Sequence, residues 1–365
     1  MADEWQEESK SYAIHLQELQ SACKAKDTLR ISSLLREDFI KATDASACLP
    51  MAWPHVEAMR LLLEHGADPN VCATVWYMKK SIGVVKLLVE FGHDIRTTGH
   101  LILQDFAHDR EALDWLLDHG VDASRTDHKR VDTGRPPGGA HDYSLKVLNN
   151  IAARGDIELF DHIVKRGADP HRSLALHCAS KCPDPEKAMA MIDHLLEVHN
   201  MDIEADNEKL RDFFHAAGDS GTPLKCAVYY QNLPAVRKLL ERGANPEKAV
   251  YTTIDSAISA PWVPALEPLL DAGASADDAL EHAVDHLNFE AARICVAKGA
   301  DATMVLGKQH SRIAKIQAGT FDYERDAEPG AQGYWSEDDE ETAGERRDMR
   351  ALLKSASLDK PTENC

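Results

Sequence analysis

The chain has 365 residues, of which 44% are hydrophobic and 28% are charged, as in an ordinary folded protein. Its 41 basic and 61 acidic residues give a net charge of −20, which argues against direct binding of nucleic acid because phosphates would be repelled. No apolar run approaches the roughly 18 residues that a membrane span needs. Residues 1–10 lack the apolar core of a signal peptide. We therefore expect the eight cysteines to be reduced, mostly buried thiols in the cytoplasm or the nucleus.

One phrase recurs along the chain: two apolar residues, a mostly polar pair, a glycine, then a small or polar residue that Asp or Asn often follows. Its clearest copy runs from Leu239 to Asn245, and a degenerate copy from Leu195 to His199 lacks the glycine. Seven copies keep the glycine, at Gly66, Gly92, Gly120, Gly167, Gly243, Gly273 and Gly299. Such recurrence predicts a repeat architecture, in which each unit packs against its neighbours.

The segment 221–245 shows how one unit would fold. Thr222 is suited to cap a first helix, and Pro223 fits its first turn, where a missing N–H costs nothing. Gly243 would end a second helix in the left-handed conformation. The apolar spacing gives the expected core positions as Leu224, Ala227, Val236, Leu239 and Leu240. Two short helices cannot bury both of their faces, so neighbouring units must stack.

These features resemble the ankyrin repeat, whose period is about 33 residues. The best unit carries the family's Thr-Pro-Leu opening at Thr222-Pro223-Leu224, with Lys225 where the family usually has His. The resemblance covers residues 12–318 and implies an all-α solenoid of about nine helix-turn-helix units, several of them degenerate. The first helices that depart most from the pattern lie around Pro50, Trp76 and Gln104.

Two insertions and a tail interrupt or follow the repeats. Loop insertions are expected at about residues 127–142 and 202–219. Residues 319–365 form the predicted acidic tail, mostly disordered with a short terminal helix, and its segment 322–345 alone has a net charge of −9. Within it, Ser336 precedes five acidic residues and is a candidate phosphorylation site.

A spacing of cysteines and histidines approaches that of a zinc finger. Cys178, Cys182, His194 and His199 fall one residue short of the two-Cys, two-His pattern, and their thiolate and imidazole groups are ligands that zinc favours. In the repeat frame, however, the cysteines lie on a first helix and His194 lies beside a core pair of the second. The four residues are therefore weak zinc candidates, and no metal or other cofactor is predicted.

In ankyrin-like stacks, the outward positions of the first helices line a concave binding face. Tyr229 and Tyr230 follow a core pair at such positions, and tyrosine and tryptophan dominate protein-binding hot spots. Alignment on the glycine phrase extends this to the predicted partner-binding set: Tyr229, Tyr230, Trp262, Asp285, His286, Arg154 and Phe106.

The resemblance implies a protein-binding module: a scaffold, an adaptor or a regulatory subunit, of which a transcriptional co-regulator is one example. The expected partner is another protein, with no direct nucleic acid and no membrane. The alternative is an enzyme built on the same stack, which would hold a small molecule in an aromatic pocket against the 127–142 loop. No nucleophile elbow, Gly-rich phosphate loop or paired-carboxylate motif identifies a reaction. An enclosed pocket with convergent polar groups would favour the enzyme, and an open groove the adaptor.

Overall fold

A computed structural model describes residues 2–37, 39–72, 81–126, 141–142, 144–207, 211–212, 221–254, 262–286, 288–307 and 348–356. Within these ranges, α-helices and short 3-10 helices form nearly all of the regular structure, which confirms the predicted all-α class. The described strands are an antiparallel pair of two residues each, β1 (His141–Asp142) and β2 (Arg211–Asp212). The chain forms two compact units, the first mainly before residue 176 and the second mainly after it.

The first unit contains helices of 4 to 24 residues, joined by 3-10 turns. They are α1 (Ala2–Ala25), α2 (Thr28–Leu35), α3 (Ala42–Ala52), α4 (Val56–Glu64), α5 (Ile82–Glu90), α6 (Ile95–Thr98), α7 (Arg110–Asp118), α8 (Lys146–Arg154, whose last turn belongs to the second unit) and α9 (Ile157–Lys165). The 3-10 turns are Pro69–Val71, Gly99–Leu101, Leu103–Phe106 and Pro170–Arg172.

The second unit also consists of short helices and 3-10 turns, and helices that follow each other in the chain pack together. Its helices are α10 (Ala175–Ala179), α11 (Pro185–Glu197), α12 (Pro223–Tyr229), α13 (Leu233–Glu241), α14 (Glu247–Val250), α15 (Leu266–Asp271), α16 (Ala276–Asp285) and α17 (Phe289–Ala297), with 3-10 turns at Tyr251–Thr253 and Val263–Ala265. Residues 302–307 and 348–356 are also helical. None of the described helices combines the length and the apolarity that crossing a bilayer takes.

The recurring glycine ends a helix in each of its seven copies. All seven predicted glycines have a positive φ, which confirms their left-handed role. After Gly243, the buried Ala244 donates its amide hydrogen to the Leu239 carbonyl at 3.0 Å, as in a Schellman helix end. The phrase therefore encodes both the end of a helix and the return of the chain to the core.

The degenerate copy reaches the same end without glycine. Asn200 has a φ of 51°, and Asn tolerates the left-handed region better than most residues. The next residue, Met201, donates its amide hydrogen to the Leu195 carbonyl at 3.1 Å. The longer helix α11 thus places an asparagine where the other copies have glycine.

The best-matching unit follows its sequence closely. The Thr222 hydroxyl accepts a hydrogen bond from the Lys225 amide at 3.4 Å and caps α12. Four of the five predicted core residues are buried: Leu224, Ala227, Val236 and Leu239. Leu240 is only half-buried, because it lies at the edge of the apolar stripe of α13, one helical step from Leu239.

An asparagine side chain joins one repeat to the next. Asn232 caps α13 by accepting from the Ala235 amide at 3.2 Å. Its own amide group donates to the carbonyl oxygens of Ser180 and Cys182, both at 3.0 Å. Asn232 therefore caps α13 and also satisfies two backbone carbonyl groups that follow α10 in the preceding repeat.

Charged residues tie consecutive second helices together in a recurring arrangement. A cation directly before the glycine sits between two acids that are one helical turn apart on the preceding second helix. In the central example, the Arg242 guanidinium lies 2.7 Å from Asp193 and 2.6 Å from Glu197. The same arrangement joins Arg166 to Asp114 and Asp118, and Lys298 to Glu267 and Asp271. We call these three groups the cation clamps.

Of the three first helices that the sequence expects to depart from the pattern, one does so in the described residues. Residues around Gln104 form a short α-helix and two 3-10 turns instead of one first helix, whereas Pro50 lies inside the regular helix α3. Trp76 lies outside the described residues. The two predicted insertions supply β1 and β2, and their residues 127–140, 208–210 and 213–219 lie outside the described part of the chain, as do residues 308–347 of the repeat end and tail.

Candidate functional site

Two adjacent tyrosines lie at the end of helix α12, where the sequence predicts a binding face. Ala227 and Val228 are buried, Tyr229 is half-buried and 43% of the Tyr230 surface is exposed. The two rings meet edge to face, with their centroids 5.1 Å apart and their planes at 80°. This T-shaped contact is one of the arrangements that aromatic pairs prefer.

A lysine from the preceding repeat contacts Tyr230. The Lys181 ammonium lies 4.4 Å from the centre of the Tyr230 ring and donates a hydrogen bond to the Tyr230 hydroxyl at 3.2 Å. Burial opposes the charge on Lys181, but the neighbouring Cys178, Tyr230 and Cys226 outweigh it and raise the lysine pKa. The surface thus combines aromatic rings with a stable positive charge.

A second ring cluster lies two helices further along the chain. The Tyr251 and His282 ring centroids are 4.8 Å apart, and those of His282 and His286 are 4.1 Å apart. Nδ1 of His286 donates to the His282 carbonyl at 3.0 Å, which orients the exposed imidazole directly after α16. Tyr251, like Tyr230, exposes 43% of its surface.

The two clusters occupy equivalent positions in neighbouring elements of the second unit. Helix α12 packs against α14 and against the Tyr251–Thr253 turn. In each case the outward residue follows a buried Ala-Val pair: Ala227-Val228 before Tyr229, Ala249-Val250 before Tyr251, and Ala283-Val284 before Asp285. We define the aromatic face as Lys181, Tyr229, Tyr230, Tyr251, His282 and His286.

The sequence did not predict Tyr251 as a binding residue, because the outward position of this first helix was located by counting back from the glycine phrase at Gly273. That count leads to Ser259 and Ala260, which lie outside the described residues. The first helix of this unit instead begins directly after Pro246. The repeated Ala-Val-Tyr tripeptide was the signal that could have found it.

The other predicted binding residues are placed as follows. Trp262 and Asp285 are half-buried, and Arg154 is exposed at the end of α8. Phe106 is a correction, since it is only 5% exposed and belongs to the interior. The reason is local: the chain forms 3-10 turns at Gly99–Leu101 and Leu103–Phe106, which turn this ring inward where a regular first helix would have presented it.

The weak zinc candidates do not come together as one four-ligand set. Cys182 is buried and Cys178 is half-buried near the end of α10, while the rings of His194 and His199 meet edge to face at 5.1 Å. Within the described part of the chain, neither cysteine belongs to a group of three potential ligand atoms lying within 4.8 Å of one another. Ser336 lies outside the described residues.

Two surface cavities lie away from the aromatic face. One, of about 320 Å³, is bordered by α11 and α13 and lined by Met189, Leu233, Pro234, Arg237, Lys238 and Glu241. The other, of about 600 Å³, lies between α1 and α2, with Ile14 and Arg30 among its lining residues. Neither is lined by a residue of the predicted binding set.

No protein-family model and no curated protein sequence matches this chain. Among solved structures, the crystal structure of the human ASB11 ankyrin repeat domain is 15% identical, with a TM-score of 0.32. The match covers 70% of this chain and 96% of that domain. At this TM-score the match does not establish the fold, and the case for repeats rests on the helix pairs and their glycine ends.

Proposed function

We propose that this chain is a protein-interaction scaffold of ankyrin-like repeats and that the aromatic face of its second unit binds the partner. The single observation that carries the proposal is the recurrence of an outward residue after a buried Ala-Val pair in successive first helices. The recurrence places Tyr229 and Tyr251 at the ends of successive first helices, while the small Ala and Val residues fill the interior. The other members of the aromatic face contact these tyrosines or one another.

The chemistry of the face favours burial of apolar and aromatic groups of another protein. Tyr230 and Tyr251 offer large contact area at a low cost in side-chain entropy, because each has two rotatable side-chain bonds and is already held by a neighbouring ring. Lys181 adds a positive charge that would suit an acidic group beside the apolar contact. The partner that fits is therefore a protein segment with an apolar side chain next to a carboxylate.

The test compares the full-length chain with two variants in affinity capture followed by quantitative mass spectrometry. The site variant is Tyr229→Ala/Tyr230→Ala. The control variant is Phe289→Ala, which removes an aromatic side chain of matching exposure, 40%, from the start of α17. Circular dichroism of each variant verifies that the helices are intact.

A partner protein captured by the parent and by Phe289→Ala, but lost with the double tyrosine variant, is the expected result. Equal recovery of every captured protein by all three chains would count against the proposed face. Loss of helical signal in the double variant would instead show that the tyrosines are part of the core.

The cysteine chemistry supports a cytoplasmic or nuclear location for this scaffold. The seven cysteines in the described part of the chain are thiols rather than disulfides, as is usual in reducing compartments. The alternative function, an enzyme with a pocket against the 127–142 loop, stays a prediction because residues 127–140 of that loop lie outside the described residues.

A further inference from the structure

The chain itself carries a segment with the chemistry that the aromatic face fits. Tyr334 and Trp335 are adjacent, and the five residues at positions 337–341 are all acidic. The segment 334–341 lies outside the described residues. Its composition, an aromatic pair followed by a run of carboxylates, matches the apolar and acidic groups that the face would bind.

Positive charge borders the tyrosine pair of the aromatic face. The Lys181 ammonium lies over the Tyr230 ring, and Lys225 lies one helical turn before Tyr229 on α12. Residues four apart in a helix lie on the same side, so the second lysine is a neighbour of the pair. Cations beside aromatic rings suit a segment that offers rings and carboxylates together.

The other end of the face offers rings rather than charge. The rings of Tyr251, His282 and His286 pack together there, and 43% of the Tyr251 surface is exposed. Lys248, three residues before this tyrosine, already pairs with Glu204 at 2.9 Å. The face therefore fits a segment whose rings pack at this end and whose acids reach the lysines at the other.

The chain on both sides of the segment belongs to the same compact unit as the face. Before it, the described chain stops at Gly307, and after it a helix resumes at Asp348 and buries Met349 and Leu353. Residues 342–347 separate the acidic run from this helix, a span of at most about 25 Å. A segment tethered in this way has an effective concentration on the order of 1 mM, so even a weak contact is populated.

We propose that residues 334–341 of this chain bind its own aromatic face and compete there with the partner protein; only the competition rests on the proposed function. Tyr334 and Trp335 pack against the exposed rings, and the acidic run reaches Lys181 and Lys225. The partner binds only the fraction of molecules in which the segment is released, so its apparent affinity falls by that fraction.

Carbodiimide cross-linking of the full-length protein tests the contact without any partner. The reagent joins an ammonium group to a carboxylate that touches it, and mass spectrometry of the digested monomer identifies the pair. The expected product links Lys181 or Lys225 to a carboxylate of residues 337–341. Lys187 is the matched control, because it is an exposed lysine of the same unit, on α11, and is not part of the face. It should give about tenfold fewer links, since only a released segment would reach it.

Two changes should weaken the expected links. Tyr334→Ala/Trp335→Ala removes the aromatic anchors, and high salt screens the charges. Each should lower the yield severalfold at Lys181 and Lys225 and leave the yield at Lys187 unchanged. Equal yields at all three lysines, or no link at either lysine of the face, would overturn the proposal. Links found only in cross-linked dimers would also overturn it, because the segment would then bind a second copy of the chain.

The competition is tested separately, with the partner that the wild type captures. Tyr334→Ala/Trp335→Ala should bind this partner about threefold more tightly, which corresponds to a face that the segment covers about two-thirds of the time. Unchanged affinity would overturn the competition. A partner that binds Tyr229→Ala/Tyr230→Ala as well as the wild type would refute the proposed function of the face, while the wild-type links would still support the intramolecular contact.

Discussion

At Gly243 the backbone, rather than any contact, requires glycine. Its φ is 90°, and a Cβ built there would meet no atom within 4 Å. Gly243→Val is therefore expected to destabilise the fold by about 1–2 kcal/mol, the cost of the left-handed conformation for an L residue. Urea unfolding measures the effect. Gly307→Ala is the control, because Gly307 has equally open surroundings and no left-handed φ. Equal losses in the two variants would contradict the assigned role.

Two neighbouring leucines differ in burial, so their replacement by alanine should lower the free energy of unfolding by different amounts. Leu239 is fully buried, whereas Leu240 is half-buried at the edge of the same stripe. Leu239→Ala is expected to lower the free energy of unfolding by about 2–5 kcal/mol, because it leaves a cavity in a packed interior. Leu240→Ala should cost clearly less. If denaturant midpoints ranked the two variants the other way, the orientation of α13 would be wrong.

A buried histidine predicts how stability depends on pH. His93 is buried, with its ring nitrogens 3.1 Å from the Asn70 side-chain oxygen and 3.1 Å from the Thr98 hydroxyl. Burial lowers its pKa below the ordinary value of 6.5, against a smaller opposite effect of Asp94. The unfolded chain therefore binds more protons as the pH falls below 6.5, so stability that is present above this pH is lost on acidification.

The measurement compares wild type and His93→Gln in urea unfolding from pH 7.5 down to about pH 5, the range in which an ordinary histidine titrates. The wild type should lose more stability over this range than the variant. Parallel pH profiles would show that His93 does not contribute to the loss.

At the scale of elements, the second helices were predictable and several first helices were not. A second helix carries its own signals in sequence: an Asp or Asn cap, an apolar stripe and the terminal glycine, as in α13. The first helix α14 has only four residues, too few for an apolar period to show. Its position is set by packing of Ala249 and Val250 against the neighbouring helix, which a count from the glycine cannot reveal.

The cation clamps were not predicted from the sequence, although each has a recognisable sequence pattern. The signal is a pair of acids four residues apart in one second helix and a cation directly before the glycine of the next, as with Asp193, Glu197 and Arg242. The cation lies at the end of a helix, where the helix dipole favours positive charge. Each clamp thus links one second helix to the next.

Removal of one clamp cation provides a test at this scale. Arg242→Ala should lower the denaturation midpoint, by less than Leu239→Ala does, and the loss should shrink at high salt because partly exposed charges are screened. Arg237→Ala, which removes an exposed arginine from the same helix, is the matched control and should change the midpoint less. A salt-independent loss, or equal losses in both variants, would argue against the clamp.

At the scale of the whole molecule, the sequence predicted the class of fold but not the contacts that make the site. Tyr229 and Tyr230 were found because they follow a core pair within one helix. The cation over Tyr230 comes from Lys181 in the preceding repeat, and the Tyr251 partner of His282 comes from another first helix. Such contacts depend on how insertions of different length bring repeats together, which residue spacing does not determine.

The measurement that tests the central claim most directly is the equilibrium affinity of the captured partner for three forms of the full-length chain: wild type, Tyr229→Ala/Tyr230→Ala and Phe289→Ala. The account predicts that the double variant binds at least about 30-fold more weakly, the roughly 2 kcal/mol typical of a hot spot, while Phe289→Ala binds as the wild type does. Unchanged affinity in a double variant whose helices are intact would contradict it.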